Sequence, residues 1–154
     1  IRDLSKGGSG QKSPKKAKVA KKTLSETEKK VLEIEKISQR MGIELIVGRK
    51  KDPQFGATVL LGMGGIYKEV FKDSSLRICP LSEKDAQEMI HELKIAPILH
   101  GVRGQKGISE KQLIALIRRV SKLMSEKNIA ELDLNPVIAT SESVEAVDVR
   151  IIEN

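Results

Sequence analysis

The sequence predicts an α+β fold, with a mixed or mostly antiparallel sheet and two helices packed on it. Three observations predict it. Residues 43–79 contain four short apolar runs punctuated by Gly, Pro, Asp and Ser. Residues 82–124 carry two apolar stripes at helical spacing. Residues 129–152 hold two alternating segments that read as a hairpin.

The elements follow in order. Ser25 with Glu28 resembles a capping box, and Leu24, Val31, Ile34, Ile37 and Met41 fit helical spacing. A helix over about 25–38 is favoured, although residues 32–37 also carry strand-like alternation. Gly42 ends it. A strand over 43–47 is closed by Gly48. Asp52-Pro53-Gln54-Phe55-Gly56 is a turn, 57–61 a buried strand, Gly62-Met63-Gly64-Gly65 a tight loop, and 66–71 another strand. After a turn over 72–75, a strand over 76–79 stops at Pro80. Ser82 with Asp85 opens a helix whose stripe is Ala86, Met89, Ile90 and Leu93. Ser109 with Gln112 reads as a capping box for a second helix, with Leu113, Leu116, Ile117, Val120, Leu123 and Met124 on one face. The connection over 97–107 contains His100, Arg103 and three glycines. Strands over about 129–139 and 144–152 close the chain.

Composition narrows the function classes. The 154 residues carry a formal charge of +7, from 28 basic and 21 acidic side chains. Residues 1–22 hold Arg2 and seven lysines against Asp3 alone, which leaves 20 basic and 20 acidic groups in the other 132 residues. The tail has few large apolar side chains and reads as a flexible basic segment; residues 23–154 form the domain. Aromatics are 2% with no Trp, so base-stacking platforms are scarce and nucleic acid is the least favoured partner. No apolar run approaches ~20 residues, so no membrane span is expected. The single cysteine, Cys79, rules out an intrachain disulfide framework and a multi-cysteine zinc site, and a reducing, cytoplasmic setting is the default. The chain starts at Ile1 rather than Met, which reads as a fragment or a processed product.

The segment Glu131-Leu132-Asp133-Leu134-Asn135-Pro136 carries the most chemistry. Period-2 geometry puts Glu131, Asp133 and Asn135 on one face and the two leucines on the other. If the last two strands pair about residues 141/142, partner numbers sum to 283. Asn135 then faces Asp148, and Asp133 faces Arg150. Directly opposed Cβ atoms lie ~4.5–5.5 Å apart, close enough for two oxygens to share one Mg2+. An odd-length loop would break this pairing, and a plain solvent-facing hairpin remains the alternative. Gly62-Met63-Gly64-Gly65 either approaches a phosphate through backbone N–H groups or is a hairpin turn; it is neither a Rossmann nor a Walker A pattern. Arg103, flanked by Gly101 and Gly104, is a candidate anion contact or a solvated loop residue. His91 reads as a boundary residue. His100 is a candidate base or phosphoryl acceptor, or an ordinary loop histidine, with no acid near it in sequence. Cys79 reads as a small core residue, with Arg77 its only basic neighbour in sequence.

Several segments taken together resemble one family. Gly42-Ile43-Glu44-Leu45-Ile46-Val47-Gly48, Asp52-Pro53-Gln54-Phe55-Gly56, Gly62-Met63-Gly64-Gly65-Ile66 with Glu69, Lys72-Asp73, Arg77 and Pro80-Leu81-Ser82 are similar, in order, to the ATP-grasp domain of the NDP-forming acyl-CoA synthetases. Gly101-Val102-Arg103-Gly104 and residues 131–136 continue the match, which covers roughly residues 30–152. The family includes ADP-forming acetyl-CoA synthetase and succinyl-CoA synthetase. The resemblance implies the C-terminal half of an ATP-grasp fold, with nucleotide held between two α+β subdomains. It also implies phosphoryl relay between an acyl phosphate, a phosphohistidine and ADP. Carried over by position, Asn135 and Asp148 would ligate Mg2+ with Asp133 beside them. Glu44 would bind the ribose hydroxyls, and Glu35-Lys36-Ile37 would be the hinge against adenine.

The departures matter as well. Nothing in residues 1–29 resembles the family's preceding half, with its lysine-bearing lid, and the CoA-binding domain and histidine-bearing segment are not found. His100 falls where the family usually has another residue, and Glu35-Lys36-Ile37 is an unusual hinge. The expected reading is therefore the ATP/ADP–Mg2+-binding part of an acid–thiol ligase. It would work with a CoA-binding synthetase domain or subunit and the missing N-terminal half, and turn over little alone. Two other readings are a non-catalytic nucleotide-binding or regulatory remnant docked on such a partner, and an anionic-surface or nucleic-acid binder acting through the tail.

Overall fold

The computed structural model describes residues 41–65, 68–126 and 128–153, with Ser25, Glu26 and Lys29 upstream. The basic tail, nearly all of the helix expected over 25–38 and the hinge Glu35-Lys36-Ile37 lie outside the described residues. The Lys29 N–H donates to the Ser25 carbonyl at 3.0 Å, one helical bond inside the expected span.

The described elements are β1 (Ile43–Asp52), β2 (Gly56–Met63), α1 (Lys68–Phe71), β3 (Ser74–Ile78), α2 (Glu83–Glu92), α3 (Ala96–Leu99), α4 (Glu110–Glu126), β4 (Ile129–Ala139), β5 (Val144–Ala146) and β6 (Val149–Glu153). The strands form one six-stranded sheet in the order β3-β2-β1-β4-β5, with β6 also on β4, and every pairing is antiparallel. This is the α+β architecture expected, with α2 and α4 packed together on one face.

The core lies between that face and the helices. Leu45, Val47, Val59, Leu61 and Val137 from the sheet meet Met89, Ile90, Leu113 and Ile117 from α2 and α4, all fully buried. The α2 stripe is as expected, and Ser82 forms its reciprocal cap: the Asp85 N–H donates to Ser82 Oγ and the Ser82 N–H to Asp85 Oδ2. The corresponding reading at Ser109 is corrected. The Gln112 amide instead donates to the Glu142 carbonyl at 2.8 Å and accepts the Val144 N–H at 3.1 Å, so α4 holds the β4–β5 turn.

Several strand boundaries differ from expectation: β3 begins at Ser74, inside the expected turn over 72–75, and the strand expected over 144–152 is broken at Val147 and Asp148 into β5 and β6. β1 runs through Gly48 to Asp52 because Gly48 is paired on both sides, to Leu60 and to Asp133, and two ladders outweigh the weak strand preference of glycine. β2 likewise continues through Gly62 and Met63, so the glycine loop is shorter than expected. The strand expected over 66–71 is one helical turn at Lys68–Phe71, closed by Lys72 at φ 42°. A short apolar run has no period that separates strand from helix.

The β1–β2 turn is held by Asp52 Oδ1, which accepts the N–H groups of Gln54 and Phe55 at 2.8 and 2.9 Å. At the sheet edge, Asp73 is buried and its carboxylate accepts the Lys94 and Ile95 N–H groups at 2.7 and 3.0 Å, fixing the start of α3. β3 is tied to α2 by Glu92, which accepts from the Ser75 hydroxyl at 2.8 Å and pairs with Arg77.

Three carboxyl groups are held below the usual carboxylate range: Asp52 by the Phe55 and Gln54 N–H groups, Asp85 by Ser82, and Glu92 by Arg77 and then Ser75. Each binds its proton less tightly folded than unfolded. Its contribution to stability is complete above the ordinary range and is lost as pH falls through the folded value. The melting temperature is expected to be level from about pH 7 to about pH 5 and to fall below about pH 4. A melting temperature that rises on acidification would contradict this.

Candidate functional site

Directly paired residues share a face, so the registers define rows across the sheet. On the face away from α2 and α4, one row runs Leu76, Leu60, Gly48, Asp133, Arg150. The next runs Ile78, Thr58, Lys50, Glu131, Ile152, and a third begins Ser74, Gly62, Ile46. The β2–β3 side of this face is apolar, with Leu76 55% and Ile78 54% exposed, and the β4–β6 side is charged. Gly48 and Gly62 add no side chain to this face, although a Cβ at Gly62 would already meet the Asp73 carbonyl at 3.2 Å. A Cβ at Gly48 would sit 3.7 Å from Asp133 Oδ1.

The hairpin register is the one the sequence predicts. Asp133 pairs with Arg150, Leu134 with Val149 and Val137 with Ala146, so partner numbers sum to 283 on both sides of the link between β5 and β6. Within that link the Asn135 N–H donates to the Asp148 carbonyl at 3.2 Å, and the Val147 N–H to the Pro136 carbonyl at 2.9 Å. Asn135 and Asp148 are therefore opposed and both exposed, while Leu132 and Leu134 are buried beneath them.

A bulge, which sequence reasoning missed, sits at this point. On the other side of β4 the pairing passes from Val47–Leu134 to Leu45–Val137, so Asn135 and Pro136 together oppose Ile46. The extra residue lets core positions run Leu132, Leu134, Val137, Ala139 while Asn135 stays out in solvent. A second shift occurs between Ile129 and Glu131 on the β6 side. The Ile129 carbonyl accepts from the buried Arg49 guanidinium at 3.0 Å. Burial lowers the Arg49 pKa from its ordinary value, against a rise from the Cys79 thiol. Cys79 thus has Arg49 as a basic neighbour in space, besides Arg77.

Glu44 is exposed on β1, about 13 Å along the strand from Gly48 at ~3.3 Å per residue. Its carboxylate occupies space that only a glycine leaves. Gly65 has φ +66°, and a Cβ there would lie 2.5 Å from Glu44 Oε2. The Gly64 N–H donates to the Glu44 carbonyl at 2.9 Å, so that N–H serves the backbone rather than a phosphate. Arg103 is exposed at φ 53° in a loop that glycines close: a Cβ at Gly101 would strike the Gln105 carbonyl and one at Gly107 the Leu99 carbonyl.

The donors fit a hard divalent cation. Asn135, Asp148 and Asp133 offer only oxygen, the first two opposed in register, and the third already faces the Arg150 cation. A cleft of about 600 Å3, lined by Ile43, Ile98, Gly101, Lys106 and Ala139 among others, contains none of these three residues. Sequence reasoning also missed Glu110. The structure brings its carboxylate to 3.1 Å from His91 Nε2 and 3.2 Å from His100 Nε2, although His100 has no acid near it in sequence. Helical packing of α4 against α2 made that contact, and sequence spacing carries no signal for it.

A six-stranded antiparallel sheet with α2 and α4 packed on one face suits an ATP-grasp subdomain. A family model described as an ATP-grasp domain matches residues 16–152, and the chain belongs to that family. Within it, the chain is 46% identical over 113 residues to the beta subunit of an ADP-forming acetate–CoA ligase I of Pyrococcus furiosus, covering 73% of this chain and 49% of that subunit. It is 44% identical over 113 residues to an ADP-forming 4-hydroxybutyrate–CoA ligase of Nitrosopumilus maritimus, covering 71% of this chain and 16% of that protein. Among solved structures it matches acetyl-coenzyme A synthetase 1 of Candidatus Korarchaeum cryptofilum, in complex with coenzyme A and Mg-AMPPCP. The TM-score is 0.69 at 45% identity, over 73% of this chain and 54% of that one. The chain thus spans about half the length of the subunit relatives it matches. Among the described residues, no helix is long and apolar enough to cross a membrane.

Proposed function

We propose that this chain forms one wall of the ATP/ADP–Mg2+ site of an ADP-forming acyl-CoA synthetase, an acid–thiol ligase of the cytoplasm. The complete enzyme would convert acyl-CoA, ADP and phosphate to acid, CoA and ATP through an acyl phosphate and a phosphohistidine. The observation that carries this reading is the opposition of Asn135 and Asp148, both exposed, in a chain of the ATP-grasp family.

The roles follow from position. Asn135 and Asp148 hold Mg2+, which when bound neutralises phosphate charge, and Asp133 stands beside them. Glu44 accepts from the ribose hydroxyls, and Glu35, Lys36 and Ile37 contact the base. Arg103, on its glycine-closed loop, offers a guanidinium to an anion. Gly48, which adds no side chain beside Asp133, leaves room for a phosphate near the backbone. The exposed apolar half of the same face, at Leu76 and Ile78, suits coverage by the preceding ATP-grasp half. A CoA-binding domain or subunit supplies the acyl group and the histidine. Support comes from the solved relative that carries Mg-AMPPCP with its phosphohistidine segment pointing towards the nucleotide site.

Calorimetry of the full chain with ADP tests the reading. Binding is expected in Mg2+ and at least about tenfold weaker in EDTA. Equal binding in both, or none in either, would count against it. With acyl-CoA, ADP and phosphate, the chain alone is expected to give no appreciable turnover.

A further inference from the structure

We propose that His91, His100 and Glu110 form a binding site for a divalent transition-metal ion such as Zn2+, separate from the Mg2+ site. The three come from different elements: His91 from the last turn of α2, His100 from the C-terminal cap of α3, and Glu110 from the first position of α4. One ligand atom from each lies within 4.8 Å of the others. Glu110 Oε1 is 3.1 Å from His91 Nε2, and Oε2 is 3.2 Å from His100 Nε2. Ligands on a tetrahedral zinc at ~2.0–2.1 Å stand about 3.4 Å apart, so small side-chain movements close the set around one ion.

The hydrogen bonding of His100 suits a metal ligand. Its Nδ1 lies 2.7 Å from the Ala96 carbonyl, which only accepts, so Nδ1 carries a proton. In the neutral ring, Nε2 then turns a lone pair on a carboxylate oxygen at 3.2 Å. A metal ion placed between that lone pair and the carboxylate oxygen would be ligated by both. His91 Nε2 meets the other oxygen of the same carboxylate at 3.1 Å, and the two rings are 4.8 Å apart at their centroids. One metal ion between them would serve all three groups. The bond from Nδ1 to a main-chain carbonyl is also the outer contact that ligating histidines generally make.

Two imidazoles and a carboxylate select zinc, cobalt or nickel over magnesium. The His side chains are 48% and 41% exposed, so water completes the coordination. A bound ion would tie α2 to α4 and anchor the chain immediately before the loop that carries Arg103.

The test uses the full chain without an affinity tag. Titration with Co2+ is expected to give d–d absorption saturating at one equivalent, and Zn2+ to displace it. X-ray absorption of the Zn2+ form should show two imidazole ligands. His91→Gln and His100→Gln should each weaken Zn2+ binding at least about tenfold, and the double variant should abolish the cobalt spectrum. Cys79→Ser and Asp148→Ala should leave the spectrum unchanged, so loss of the Mg2+ reading leaves this one standing. No saturable absorption in the wild-type chain, fewer than two imidazoles, or Zn2+ affinity retained in a folded double variant would overturn it.

Discussion

Asp148→Ala is expected to remove the Mg2+-dependent part of ADP binding, a loss of at least about 2 kcal/mol or roughly 30-fold in affinity. The fold should survive. Asp148 is exposed, and what places it is its main-chain carbonyl accepting the Asn135 N–H, a bond that alanine keeps. Asn135→Ala should give a similar loss. Asp133→Asn should cost less, because Asp133 already faces Arg150 across the ladder. Calorimetry with and without Mg2+ reads all three. Wild-type affinity in a folded Asp148→Ala protein would remove this pair from the site.

Asp73→Ala should have the largest effect on stability, roughly 2–4 kcal/mol. Its buried carboxylate accepts two main-chain N–H groups, at Lys94 and Ile95, and alanine leaves both donors without that acceptor. A fall in melting temperature of about 5–15 °C corresponds to that loss. Asp73→Asn keeps one oxygen and should lose about half as much. Urea or thermal unfolding checks the pair, and a change under about 0.5 kcal/mol in Asp73→Ala would show that water replaces the carboxylate.

The parts of the fold legible in the sequence are those with a strict local period. The α2 stripe became buried residues, as did Leu113, Ile117 and Val120 of the α4 stripe while Leu123 is 39% exposed, and the alternation over 131–135 with an even-numbered turn matches the hairpin register. The parts that were not legible depend on neighbours distant in sequence. Gly48 reads as a strand end until two partner strands flank it. The bulge at Asn135 and Pro136 leaves no mark because the hairpin side of β4 keeps partner numbers summing to 283 across it, and only the pairing with the distant β1 shifts. His100 reads as lacking an acid because Glu110 arrives only when α4 packs. Of the candidate site, Asn135, Asp133 and Glu44 fall on strands, Asp148 on the link between β5 and β6, Arg103 on a strained loop, and the hinge outside the described residues.

The turn between β4 and β5 has a consequence for how the site is specified. Thr140 closes it, with its N–H on the Ser143 carbonyl at 2.8 Å and its hydroxyl accepting the Ser143 N–H at 2.9 Å, while Gln112 of α4 grips the residues on either side. The number of residues between Asn135 and Asp148 thus works as a ruler. One residue more or fewer at the turn would leave every site side chain in the chain and yet set Asn135 against a neighbour of Asp148. The cation pair is encoded by a length as much as by two identities, and a helix on the opposite face of the sheet keeps that length true.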